Sequence, residues 1–268
     1  MRLLALSVLF AFGCINKPNQ SNRISVTGSS TVAPLIAEIA KEYESKHPNI
    51  RIDVQTGGSS RGILDARQQT SDIGMVSRAL KPAENDIKPV LIARDGVGVV
   101  VNSSVTIDAL SKADLTKLYL KKIQNWSELG GPDLKVTVIH KAQGRSTAEV
   151  FLEYLSLQYT NVQADIIIGD NEQAIKNIDS IPGAIGYVSI GAAEYSMKQG
   201  SKIKLLELEG IAATTKTVAN GTYPISRELN IVLNPKQDKT HVQKFVEYAS
   251  SAQTNEIVRS LDFVPAKL

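Results

Sequence analysis

Three segments of the sequence share a turn rich in glycine and hydroxyl side chains, each placed just before a predicted helix. They are Gly28-Ser29-Ser30-Thr31, Gly57-Gly58-Ser59-Ser60-Arg61-Gly62 and Gly144-Arg145-Ser146-Thr147. The first turn of a helix presents unpaired backbone N–H groups and about half a positive charge, so it attracts anions. Three such turns meeting at one place would surround a tetrahedral oxyanion with hydrogen-bond donors.

Helix capping is the alternative explanation for each turn taken alone. A single serine or threonine before a helix is usually an N-cap, which contributes about 1 kcal/mol to stability. A cap needs one hydroxyl, whereas these turns carry consecutive ones, as in Ser29-Ser30-Thr31, Ser59-Ser60 and Ser146-Thr147. The additional hydroxyls and the flanking glycines favour an anion-binding site over three separate caps.

Two arginines are the charged candidates for the same site. Arg145 belongs to the third turn, and Arg78 follows Ser77 at the end of a predicted strand. A guanidinium group can donate to two oxyanion oxygens at once, although most arginines are solvated surface residues. For Arg61 a capping or surface role is the better interpretation, and for Asp72 a role as a turn or capping partner.

Short β-like segments alternate with helical patterns from residue 23 onward. Strands are predicted at 24–26, 50–54 and 72–76, each running towards a turn, with later helices at 146–157 and a helical pair at 241–261. This alternation predicts parallel sheets with crossover helices. Ligands bind such open α/β sheets at the carboxyl ends of the strands, which is where the turns lie.

Two long β segments, at 89–102 and 225–233, flank the middle of the chain and indicate that the chain crosses between two lobes twice. We therefore predict an α/β protein whose first lobe comprises residues 23–101 and 222–268 and whose second lobe comprises residues 102–221. The middle region also includes a predicted helix that carries Leu110, Leu115 and Leu118.

The N-terminus has the pattern of a secretory signal. A positive charge at Arg2 precedes an apolar run at 3–13 that is too short to span a bilayer. Cys14, the only cysteine, follows Gly13 in a setting that resembles the lipobox of bacterial lipoproteins. We predict a signal peptide at 1–13, lipidation of Cys14, a tether over 14–22 and an extracytoplasmic location; an ordinary cleaved signal is the alternative.

Composition excludes several function classes. Lys and Arg total 30 against 27 Asp and Glu, a balance that does not favour nucleic acid as a partner. The sequence has no phosphate-binding P-loop motif and no H-E-x-x-H zinc motif, so neither a metal nor a cofactor is predicted. A serine hydrolase or phosphatase, suggested by abundant serines and by His47, His140 and His241, is the less favoured alternative, because no G-x-S-x-G nucleophile elbow is expected.

Five ordered segments resemble the phosphate-binding proteins of bacterial ABC phosphate uptake systems. They are T-G-S-S-T-V-A-P-L (27–35), T-G-G-S-S-R-G-I (56–63), D-I-G-M-V-S-R (72–78), G-R-S-T (144–147) and Y-P-I-S-R-E-L-N (223–230). The resemblance implies a two-lobed type II periplasmic-binding-protein fold with the ligand in the cleft and two crossover hinge strands. It also implies a monomer without enzymatic activity that binds inorganic phosphate with high affinity and delivers it to an ABC-type permease.

The same resemblance implies which residues contact the ligand. They are Ser30, Thr31 and Val32 from the first segment, Ser59 from the second, Ser77 and Arg78 from the third, and Gly144, Arg145, Ser146 and Thr147 from the second lobe.

Two departures from the family pattern leave other oxyanions, such as sulfate or molybdate, as alternatives. Some members have a proton-accepting aspartate where this chain reads Ser77-Arg78. Many members read Arg-x-x-Gly-Ser-Gly-Thr where this chain reads Lys-Ala-Gln-Gly-Arg-Ser-Thr at 141–147.

Overall fold

The structure is a computed structural model that describes residues 22–266. The predicted signal peptide, Cys14 and nearly all of the tether lie outside the described residues. The strands follow in chain order as β1 (Arg23–Gly28), β2 (Arg51–Thr56), β3 (Ile73–Val76), β4 (Lys88–Asn102), β5 (Ala109–Leu110), β6 (Thr137–Lys141), β7 (Ile166–Ile168), β8 (Ala184–Ser189), β9 (Ile203–Leu205), β10 (Glu207–Leu208), β11 (Ser226–Leu233) and β12 (Val264–Pro265).

The α-helices are α1 (Ala33–Lys46), α2 (Ser59–Gln68), α3 (Lys112–Tyr119), α4 (Ser146–Leu155), α5 (Asn171–Ser180), α6 (Ile190–Lys198), α7 (Thr215–Ala219), α8 (Thr240–Ala249) and α9 (Asn255–Ser260). Helix α1 illustrates how the sequence specifies them. Its buried residues Leu35, Ile36 and Ile39 recur at helical spacing, and Pro48 follows its end, where a proline disfavours helical backbone in the preceding residue.

The main sheet has the strand order β2-β1-β3-β11-β4-β8-β6-β7. At one end β1 is parallel to β2 and β3, and at the other end β6 is parallel to β7 and β8. Parallel neighbours require crossover connections, which the helices between these strands supply. The two parallel sets form the sheets of two lobes, as the alternation predicted.

Strands β4 and β11 join the two lobes. β4 is continuous over 15 residues; its first part pairs with β11, and its second part pairs antiparallel with β8. Ile92 of β4 lies in the hydrophobic core around helices α1 and α8, whereas Val97, Val99 and Val101 lie in the core that contains Trp126. One strand therefore contributes to both cores and links the two lobes.

The predicted helical pair near the C-terminus is present as α8 and α9, but the helix predicted to carry Leu110 begins later. Leu110 lies in β5, which pairs with β10, and α3 begins at Lys112. Ser111 is the reason: its side chain accepts a hydrogen bond from the backbone N–H of Asp114, which is the geometry of an N-cap.

Candidate functional site

The three hydroxyl-rich turns meet in one small cavity between the lobes. The cavity is lined by Ser29, Ser30, Thr31, Gly58, Ser59, Ser77, Lys141, Arg145, Ser146, Thr147 and Gly169. Seven of the ten predicted site residues are in this lining: Ser30, Thr31, Ser59, Ser77, Arg145, Ser146 and Thr147. The helix starts of α1, α2 and α4 therefore converge as the sequence predicted.

The first turn is organised by Ser29. Its hydroxyl donates to Ser77 Oγ (2.9 Å) and accepts from the backbone N–H groups of Thr31 (3.2 Å) and Val32 (3.4 Å). The Val32 side chain is fully buried in the core, and Val32 does not line the cavity. The predicted ligand contact of Val32 would use its N–H group, which in this structure is directed at Ser29.

The second turn places the start of α2 against the end of β3. Ser59 is the first residue of α2 and follows Gly58, whose φ of +91° favours glycine. Ser59 Oγ accepts a hydrogen bond from Ser77 N at 3.1 Å. A Cβ added to Gly62 would lie 2.8 Å from the Met75 carbonyl oxygen, so this glycine allows α2 to pack directly on β3.

The third turn comes from the second lobe. Helix α4 begins at Ser146 after Arg145, and the Ser146 hydroxyl is buried with no hydrogen-bond partner among the described residues. Thr147 Oγ1 accepts from Arg227 at 2.9 Å. Gly144, with φ of +83°, shapes the turn but lies outside the cavity lining. Because the Ser146 hydroxyl has no partner among the described residues, it is available to donate to an anion.

Two cationic side chains line the cavity. Arg145 passes Gly58 and reaches Gly169, where its Nη2 lies 3.2 Å from the position of an added Cβ. Within residues 22–266 its guanidinium makes no hydrogen bond or ion pair, so its donors are available to a ligand. Lys141 is only 2% exposed, and its Nζ lies 2.7 Å from Asn171 Oδ1.

Sequence reasoning missed three residues of this site: Lys141, Asn171 and Arg227. Arg227 forms an ion pair with Asp95 at 2.7 Å and also donates to Thr31 Oγ1 at 3.2 Å, while Asn171 donates to the same oxygen at 3.4 Å. Two of the three had a signal in the sequence: Lys141 stands where the family pattern has an arginine, and Arg227 lies within the segment 223–230 that resembles the family.

Arg78, which was predicted to contact the ligand, does not line the cavity. Both terminal nitrogens of its guanidinium donate to the Glu84 carboxylate, at 2.7 and 2.8 Å, and Nε forms an ion pair with Glu149 at 2.9 Å. Burial alone would lower the pKa of Arg78, but the two glutamates raise it above its ordinary value. The nearby carboxylates thus hold the guanidinium at the cleft mouth and away from the cavity.

Glu149 also connects the lobes at this mouth. It belongs to α4 of the second lobe, yet it pairs with Arg78 and with Lys81 (2.8 Å) of the first lobe, and Ser60 donates to it at 3.5 Å. These contacts join the two lobes beside the converging turns.

Asp72 and Arg61 have structural roles, as the sequence favoured. Asp72 accepts hydrogen bonds from the N–H and the hydroxyl of Ser25, both at 2.9 Å, and pairs with Lys239. Burial alone would raise the pKa of Asp72, but Lys239 and Ser25 lower it below its ordinary value. Arg61 is largely exposed and pairs with Asp65. No carboxylate is in the lining of the cavity.

One hydrolase-like motif was overlooked in the sequence: the segment 58–62 has the spacing G-x-S-x-G. Its central residue, Ser60, is the second residue of α2, and its hydroxyl contacts the Glu149 carboxylate at 3.5 Å. A nucleophilic serine needs a hydrogen-bonded base such as histidine. No histidine among residues 22–266 hydrogen bonds to Ser60, so this serine lacks the base that a nucleophile needs.

The part of the chain that the structure describes holds no group of three His, Cys, Asp or Glu side chains that could bind a metal ion. No helix within residues 22–266 is long and apolar enough to cross a bilayer.

Comparison with known proteins agrees with this geometry. A family model described as a PBP superfamily domain matches residues 16–253. The chain is 26% identical over 276 residues to the phosphate-binding protein PstS of Borreliella burgdorferi, covering 99% of this chain and 97% of that protein. It is 31% identical over 210 residues to the phosphate-binding protein PstS of Bacillus subtilis, covering 76% of this chain and 68% of that protein.

A solved structure extends the likeness to the fold. A substrate-binding protein from Clostridium perfringens, determined by X-ray crystallography with bound phosphate, superposes with a TM-score of 0.85 at 27% identity. The match covers 92% of this chain and 100% of that one. The predicted two-lobed type II periplasmic-binding-protein fold is thereby confirmed. The chain belongs to the PBP superfamily and, within it, to the family of the PstS phosphate-binding proteins.

Proposed function

We propose that this protein binds inorganic phosphate with high affinity outside the cytoplasm and delivers it to an ABC-type phosphate permease. The observation that carries the proposal is the cavity where three helix starts converge, because it offers hydroxyls, backbone N–H groups, Arg145 and Lys141 and contains no carboxylate. The PstS names of the relatives and the phosphate bound in the Clostridium perfringens structure support the same ligand.

The ligand contacts that we propose come from both lobes. Ser30, Thr31, Ser59 and Ser77 would bind the anion from the first lobe, and Arg145, Ser146 and Thr147 from the second. The unpartnered Ser146 hydroxyl supports this assignment, since a buried donor left without a partner costs about 1–3 kcal/mol. Arg78 would contribute indirectly, by holding the closed lobes together through Glu149.

The mechanism is closure of the lobes on a desolvated anion. Hydroxyls, N–H groups and cations replace the hydration of phosphate, and expulsion of water on closure strengthens each of these interactions. Binding shifts the population towards the closed form, which docks on the permease. We propose that the lobe limits are those expected from the sequence, 23–101 with 222–268 and 102–221, and that the protein acts as a monomer without catalysis.

Calorimetric titration of the chain from Asn16 onward with phosphate tests this function. We expect binding of one phosphate per chain, and no hydrolysis of a phosphoester such as p-nitrophenyl phosphate. Parallel titrations with sulfate and molybdate address the second candidate, another tetrahedral oxyanion, which the lack of a carboxylate in the cavity favours. If sulfate or molybdate binds more tightly than phosphate, that anion and not phosphate is the ligand. Turnover of the phosphoester would instead support the hydrolase alternative.

We further propose that lipidation of Cys14 anchors the protein to a bacterial membrane after removal of residues 1–13. Replacing Cys14 by serine removes the thiol that the lipid modifies, so we expect the variant to appear in the soluble fraction of lysed cells. The unmodified sequence, expressed in parallel, should sediment with membranes. A Cys14→Ser variant that stays with the membrane fraction would contradict lipid anchoring.

A further inference from the structure

Lys141 is a buried lysine that ends β6 at the wall of the cavity. Its side chain is among the largest that are fully buried in the protein, and its Nζ lies 2.7 Å from Asn171 Oδ1. Asn171 in turn donates to Thr31 Oγ1, so the ammonium position is connected to the first hydroxyl-rich turn. No ion pair joins Lys141 to a carboxylate within residues 22–266.

On balance, the charged groups around Lys141 disfavour its protonation. Arg227 of β11 and Arg145 at the start of α4 both oppose protonation, while Asp170 before α5 favours it. Burial is the largest effect, and together these lower the pKa of Lys141 to about 7. A buried lysine without a negative partner therefore exchanges its proton near neutral pH.

The remaining polar groups near Lys141 do not titrate in the same range. The Tyr187 hydroxyl of β8 accepts from the backbone N–H of Lys141 and contacts His140 Nδ1 at 2.7 Å. Burial lowers the pKa of His140 to about 4 and raises the pKa of Tyr187 well above its usual range. Near pH 7, Lys141 is thus the group of this cluster whose protonation changes.

We infer that Lys141 is a direct ligand of the bound anion and takes up a proton when the anion binds. The inference rests on the proposed function, because a dianion in this cavity supplies the negative partner that Lys141 lacks. The net step joins neutral Lys141, HPO₄²⁻ and one proton from solvent into an ammonium–dianion pair. When H₂PO₄⁻ enters instead, the proton passes from its P–O–H group to Nζ, and the same pair results.

The sign of the pH dependence follows from this proton balance. Above about pH 7 the free protein has a neutral Lys141 while the complex has an ammonium group. The complex then binds more protons than its free components, so the affinity for phosphate should fall about tenfold per pH unit as the pH rises further. An arginine at this position would remain protonated and would show no such fall.

Calorimetry at pH 8.5 in two buffers with different ionisation enthalpies measures the proton exchange directly. We expect the chain from Asn16 onward to take up about one proton per phosphate bound. The Lys141→Arg variant should bind phosphate without proton uptake and with an affinity that is nearly constant from pH 7.5 to 9. The Lys141→Met variant, which keeps the buried volume without an exchangeable proton, should also bind without uptake, but more weakly at pH 7.

The outcomes separate this inference from the proposed function. Phosphate binding by the natural sequence without proton uptake at pH 8.5, or uptake that persists in both Lys141 variants, would overturn the role of Lys141 alone. Failure of the natural sequence to bind phosphate at any pH would overturn the proposed function instead.

Discussion

Replacing Arg145 by alanine is expected to weaken phosphate binding by at least about tenfold without unfolding the protein, a loss of about 1.4 kcal/mol or more. The guanidinium of Arg145 lines the cavity and has no hydrogen-bond or ion-pair partner within residues 22–266, so its removal breaks no polar contact between the closed lobes. An arginine that donates to an oxyanion makes charge-assisted hydrogen bonds, about twice as strong as neutral ones. The loss should therefore appear in binding and not in stability.

Arg61 provides a matched control for Arg145. It follows the second hydroxyl-rich turn, but its side chain is 63% exposed and pairs with Asp65 instead of lining the cavity. Arg61→Ala removes the same charge and volume close to the site. It therefore distinguishes the loss of a direct contact with the anion from a general loss of positive charge. We expect calorimetric affinities close to those of the natural sequence for Arg61→Ala, and equal affinities for both variants would contradict the assignment of Arg145.

The convergence of the three turns could be predicted from the sequence because it depends on local patterns. Each turn follows a β pattern and precedes a helical one, and the carboxyl ends of parallel strands share one edge of a sheet. The glycines and consecutive hydroxyls then indicated which turns line the cavity. The position of Ser59, Ser146 and Thr147 in the cavity follows from these local rules.

The partners of the long cationic side chains could not be predicted in the same way. Arg78 was expected in the cavity because Ser77 precedes it, but Glu84 and Glu149 hold its guanidinium elsewhere. Glu149 comes from the other lobe, and no local pattern shows that it faces Arg78. Arg227 likewise reaches the site from β11 only because that strand lies beside β4.

Lys141 shows a different limit of sequence reading. Its place in the family motif was visible, yet a lysine in a sequence gives no sign of its burial or of its neighbours. The low exposure, the contact with Asn171 and the two nearby arginines are properties of the folded chain.

Breaking the ion pair between Arg227 and Asp95 from one side is expected to destabilise the protein more than removing any other polar contact of the cleft. Both side chains are 1% exposed, and Asp95 Oδ1 has no hydrogen-bond partner among the described residues. Replacing Arg227 by methionine keeps most of the volume but leaves the Asp95 carboxylate buried without a counter-charge. Loss of one partner of a buried pair costs about 3–5 kcal/mol, so urea denaturation should show a fall of that size in the free energy of unfolding.

The double variant Arg227→Met with Asp95→Leu distinguishes a buried charge from lost packing. Because replacing both members of a buried pair by apolar residues is often close to neutral, the double variant should recover most of the stability lost in Arg227→Met. Phosphate affinity should stay reduced, since Arg227 also donates to Thr31 and Thr147 and thereby holds both hydroxyls in place across the cleft. If the double variant is as unstable as Arg227→Met, the Arg227 side chain acts through packing. If the double variant recovers full phosphate affinity, Thr31 and Thr147 are positioned without Arg227.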